Sequence, residues 1–173
     1  MKKYLFLKWF IFSIAVAINL FILINAFISG DASAKESNSI AHAAADVINT
    51  VKPQTITPQN FDRFAFDIRK AFGHFGLFAL SGGFTTWTFY LFLKDTKVGY
   101  FVWQILISSG FGFLLAILSE FIQIFVEGRT GAWTDVGIDF SGFFLGIFVV
   151  FLVFLMRKSK IFYLNNYVKN QAD

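Results

Sequence analysis

Four apolar runs of membrane-spanning length govern what this chain can fold into. They cover residues 9–28, 71–93, 100–126 and 136–156, and the only Asp or Glu inside them are Glu120 and Asp139. About 20 consecutive apolar residues, rising 1.5 Å each, suffice to cross the hydrocarbon core as a helix. A helix is required there because lipid offers no partner to an unpaired backbone N–H or C=O. Only 15% of the 173 residues are charged and the mean hydropathy is +0.62, whereas an ordinary soluble domain carries about 25% charged residues. The expected fold class is all-α, an integral membrane bundle of four transmembrane helices with an outer amphipathic helical segment.

Composition removes several functional classes. There is no cysteine, so disulfides, thiolate metal sites and cysteine nucleophiles are excluded. The net charge of +4 comes from Lys and Arg flanking the apolar runs. No basic stripe is interleaved with solvent-facing aromatics, so a nucleic-acid partner is not expected. The 26 Phe residues supply bulk compatible with lipid and need no cofactor to account for them.

The chain divides into an N-terminal transmembrane anchor (1–28), an extracytoplasmic amphipathic loop (29–60), a three-helix membrane domain (61–156) and a polar cytoplasmic tail (157–173). Ala32-Ser33-Ala34 imitates a signal-peptidase site. The apolar run before it is longer than the roughly 7–15 residues of a signal h-region, so an uncleaved anchor is expected. In the long loop, Ile40, Ala44, Val47, Ile48 and Val51 recur at helical spacing. Ser37 or Ser39 is the expected N-cap and Pro53 the stop. Thr57-Pro58 reads as the next helix start. Such a segment lies on the bilayer surface or caps the bundle. Lys94, Asp95 and Lys97 make a short turn between the second and third spans.

Lys2, Lys3, Lys8, Lys94, Lys97, Arg157, Lys158 and Lys160 fall on one side of this topology. The other side holds Arg129 in its short loop, with Arg69 and Lys70 where the long loop meets a span. The positive-inside rule then places both termini in the cytoplasm of a multi-pass cell-membrane protein.

Polar side chains recur at the outer ends of three spans. Lys70 and His74 open the second, Glu120 and Gln123 close the third, Arg129 follows in the loop, and Asp135 and Asp139 open the fourth. Spacings of three and four put each pair on one helix face. Each has a bland reading: a snorkelling Lys70, an N-cap at Asp135, an interhelical hydrogen bond at Gln123. Glu120 and Asp139 lie a turn or more inside apolar runs, where an unpaired carboxylate costs several kcal/mol. They require a cation, a proton or a partner such as His74, Arg129 or Lys70. Gly142 and Gly146 continue the Asp139 face and permit close helix approach.

The string from Glu120 through Gln123, Gly128-Arg129, Gly131, Asp135 and Asp139 to Gly142 resembles the signature of the VanZ-like family. Arg69-Lys70-Ala-Phe-Gly73-His74-Phe75 is similar to that family's entry to a membrane helix. The likeness covers roughly residues 60–156 and maps the family's polar positions onto Lys70, His74, Glu120, Gln123, Arg129, Asp135 and Asp139. Glu127 stands where many members have Pro, and Asp139 where many have Asn. The founding member is associated with resistance to teicoplanin, a glycopeptide antibiotic, and the resemblance extends that link to this chain as an expectation.

The first functional reading is a cell-envelope protein whose outward polar pocket binds a lipid, a glycolipid or the head group of a lipid-linked cell-wall precursor. Lys70, Arg129 and His74 would meet the anionic group and the Phe-rich walls an acyl or prenyl chain. A non-catalytic scaffold locked by its polar cluster is the second. A membrane hydrolase or transferase on lipid head groups is the third, with His74 as acid or base and the carboxylates as metal ligands or base. No metal site is expected, since one His with scattered carboxylates is weak evidence for metal, and no cofactor is assigned.

Overall fold

The computed structural model describes residues 2–93 and 101–172, with side chains over 4–93 and 102–156. Every described element is helical: α1 (Lys2–Ala26), α2 (Gly30–Val51), α3 (Phe61–Ile68), a π-helical stretch (Arg69–Gly76), α4 (Leu77–Leu93), α5 (Phe101–Gln123) and α6 (Trp133–Ala172). Four helical segments are long and apolar enough to cross a membrane: Tyr4–Ala26, Phe61–Leu93, Val102–Gln123 and Trp133–Met156. The outward surface agrees with lipid as solvent, since Leu114, Phe121, Phe144 and Val149 are exposed. The expected turn at Lys94, Asp95 and Lys97 lies outside the described residues.

Small residues set the helix packing. α4 and α6 touch backbone to backbone: a Cβ on Gly82 would collide with the Phe143 carbonyl, and one on Gly146 with the Ala79 carbonyl. Without a hydrophobic drive between helices in lipid, such close contact carries the association. Beside this seam Phe78, Leu115, Ala116, Val136, Phe143 and Ile147 form the core, with Ile22 of α1. Polar groups assist in mid-span. Ser81 donates to Asn19 Oδ1, and Asn19 Nδ2 donates to Thr85 Oγ1 at 3.2 Å. α1 is thus built into the bundle.

Several boundaries differ from the sequence reading. α2 begins at Gly30, with Ser29 as its N-cap accepting from the Ala32 N–H at 3.4 Å. Ser37 and Ser39 are interior, bonding back to the Ser33 and Lys35 carbonyls, so neither can cap. Thr57-Pro58 does not start a helix. The Asn60 carboxamide accepts from the Thr57 N–H at 2.8 Å and holds a turn, and α3 starts at Phe61. Backbone helix continues past Met156 to Ala172, through the polar tail. On α2 the protein-facing residues are Ala41 and Ala45, while Ile40, Val47 and Val51 stay exposed. Alanines permit the closer approach to α3, which leaves the larger apolar stripe for another medium.

Candidate functional site

The C-terminal ends of α1 and α5, the N-terminal end of α6 and the π-helical stretch meet at one end of the bundle. The π-helical turn is the local feature that sequence periodicity did not anticipate. It spans Arg69–Gly76, and α6 lies directly against it, because a Cβ on Gly142 would strike the Phe75 carbonyl. A π-helical insertion re-aims side chains relative to a continuous α-helix, and such insertions favour functional sites. Here Lys70 and His74 both reach α6.

Lys70 Nζ pairs with Asp135 Oδ1, and its ammonium lies 4.9 Å from the Phe66 ring centroid. His74 Nδ1 is 2.9 Å from Asp139 Oδ1 and 3.9 Å from Glu120 Oε1. Glu120 Oε1 accepts from Gln123 Nε2 at 2.8 Å, and Oε2 accepts from the Ala132 N–H at 3.1 Å. Gln123 Oε1 in turn accepts from an Arg129 Nη at 3.0 Å. Arg129 Nε and its other Nη reach the carbonyls of Ile28 (3.2 Å) and Asn25 (3.5 Å), where α1 ends. A cation there bonds carbonyls at the helix end and meets the negative end of the helix dipole.

Gly128 brings this loop in. Its φ of 72° suits glycine, and it lies against Gly30, whose N–H donates to the Glu127 carbonyl at 3.0 Å. Burial first, and the neighbouring charge of Arg69 second, hold the Arg129 guanidinium below its ordinary pKa. Two guanidinium groups thus repel across a shared space.

That space is a cavity of about 280 Å³. Its polar lining includes Arg69, His74, Gln123, Arg129, Asn25 and Glu36, and its apolar walls include Phe21, Ile22, Phe72 and Phe78. Arg69 has an aromatic neighbour, Phe66 at 5.9 Å, but no hydrogen bond or ion pair to a described residue.

The seven residues singled out in the sequence gather at this end of the bundle, but they do not all line the cavity. His74, Gln123 and Arg129 do. Lys70 with Asp135, and Glu120 with Asp139, pack beside or behind it. Asp135 pairs with Lys70. Arg69 and Asn25 are lining residues the sequence reading did not assign. The available signals were an Arg beside Lys70 and an Asn in the last turn of an apolar span.

The family model described as VanZ/LLP1 matches residues 9–155. The chain belongs to the VanZ/LLP1 family. The match takes in α1 as well as the three-helix region in which the resemblance was read. For this VanZ/LLP1 member the cluster lies inside the matched region. No curated protein and no solved structure matches the chain.

Proposed function

We propose that this VanZ/LLP1 protein binds, from the outer side of the cell membrane, a lipid, glycolipid or lipid-linked cell-wall precursor with an anionic head group. Arg69 carries the reading. It is a cavity-lining arginine without an acceptor among the described residues, beside a second guanidinium whose charge opposes it. A phosphate between them would accept from both and relieve that repulsion. Phe21, Phe72 and Phe78 beside it suit an acyl or prenyl chain. The link to teicoplanin resistance rests on the family name and would follow if the bound molecule were a cell-wall precursor.

Native mass spectrometry of protein released from membranes is expected to retain a phosphate-bearing lipid. Arg69→Gln removes one charge-assisted contact, worth roughly 1.5–3 kcal/mol, and should weaken retention about tenfold or more. Equal retention by wild type and variant would refute the pocket.

A structural role for Glu120 and Arg129 has its own support. Arg129 caps α1 and Glu120 holds the Ala132 backbone, so a scaffold reading fits those two residues. It does not account for Arg69.

The outward orientation has a separate check. Both termini are expected in the cytoplasm. Since the chain has no cysteine, single cysteines at Ser39, Thr130 and Ser159 can be probed with an impermeant maleimide in intact cells. Labelling is expected at 39 and 130; labelling at 159 alone would invert the assignment.

A further inference from the structure

Behind the His74 wall of the cavity, three elements each bring one metal-type donor to a common point. His74 comes from the π-helical stretch, Glu120 from α5 and Asp139 from α6. Ligand atoms from the three lie within 4.8 Å of one another. Donors about 2.1 Å from one tetrahedral ion stand roughly 3.4 Å apart. The spacings of 2.9 and 3.9 Å from His74 Nδ1 bracket that value.

Asp139 supplies an independent observation. Its side chain is fully buried, and Oδ2 has no hydrogen-bond partner among the described residues. Buried carboxylate oxygens are normally satisfied, and an unpaired one is costly. Lys70 is engaged with Asp135, and Arg129 with Gln123 and the end of α1. Two buried acids therefore share one imidazole.

We propose that His74, Glu120 and Asp139 form a binding site for a divalent transition-metal ion, zinc class, with one coordination position left open. One imidazole nitrogen and two carboxylate oxygens suit zinc or manganese, and three protein ligands leave zinc a fourth position. Calcium and magnesium are hard cations that take oxygen ligands, so the imidazole nitrogen favours a transition metal over either. The Gln123 amide and the Ala132 N–H already orient the Glu120 carboxylate, as outer partners of metal ligands do. No metal was expected from one His with scattered carboxylates; the donors lie 46 and 65 positions from His74 along the chain (120 − 74 and 139 − 74), and helix packing joins them. The site stands on its own donors, whatever occupies the cavity.

The test uses the metal alone. Tag-free full-length protein in detergent is stripped with chelator and dialysed separately against Zn²⁺ and Mn²⁺. Bound metal is then counted by inductively coupled plasma mass spectrometry. About one ion per chain is expected. His74→Gln and Asp139→Asn should each weaken binding by about 100-fold or more, since each removes a ligand. His42→Gln alters the other histidine and should keep the wild-type stoichiometry. Cobalt substitution of the wild type should give a visible absorption band that zinc abolishes, a readout that needs no variant to fold. Monodisperse wild-type protein holding under a tenth of an equivalent of either ion would overturn the proposal. So would undiminished binding by folded His74→Gln and Asp139→Asn, or loss of the ion in His42→Gln.

Discussion

Gly82→Ala is expected to cost about 3 kcal/mol or more of bundle stability, a large effect for one methyl group. The added Cβ would meet the carbonyl, carbonyl carbon and Cα of Phe143. Those atoms are backbone in the middle of α6 and cannot turn aside as a side chain would. Relief requires α4 and α6 to separate along their seam, which gives up the close packing that associates helices in lipid. Gly110 and Gly137 are helical glycines whose added Cβ would meet nothing within 4 Å. Alanine at either should be neutral or stabilising by up to about 1 kcal/mol, through helix propensity alone. Denaturant unfolding in mixed micelles measures all three. Gly82→Ala as stable as Gly110→Ala would mean that the α4–α6 seam is not as tight as described.

Glu120→Ala should be the most damaging change among the polar residues, at about 3–5 kcal/mol, the range for removing one partner of a buried charged network. It strands the Ala132 N–H and the Gln123 amide together, and through Gln123 it loosens Arg129. Glu120→Gln should cost less. Its carboxamide oxygen can still accept from Ala132, although its NH₂ then faces the Gln123 NH₂. The loop gives a local readout. Arg129 is held to α1 in the wild type, so trypsin cleavage after it should be slow, and Glu120→Ala should speed it by about tenfold. An unchanged cleavage rate in a folded variant would show that Glu120 does not tie down this loop.

The two substitutions touch different kinds of information. Gly82 lies inside an apolar run, and nothing local distinguishes it from Gly110 or Gly137. Only the placement of Phe143 separates a glycine that matters from one that does not. Gly142 and Gly146 were legible because they continue the spacing of Asp135 and Asp139. Glu120 was legible for a different reason: a carboxylate in an apolar run must have a partner. Its choice of Gln123 and the Ala132 backbone was not, because Lys70, His74 and Arg129 were equally available in one dimension.

The sequence by itself determined that this chain builds membrane-spanning helices, roughly where they run, and at which end its polar residues collect. Those features follow from local composition, because lipid excludes charge and demands internally satisfied backbone over each run of about 20 residues. Tertiary structure alone decided that Arg129 ends α1, that Lys70 pairs with Asp135, that Arg69 lines a cavity without an acceptor among the described residues, and that His74, Glu120 and Asp139 converge. All depend on how the helices are placed and rotated, and those of Arg69, Lys70 and His74 also on the π-helical turn at Arg69–Gly76. Rotation is set by the contacts of small residues between distant segments, and no window of neighbouring residues contains those contacts.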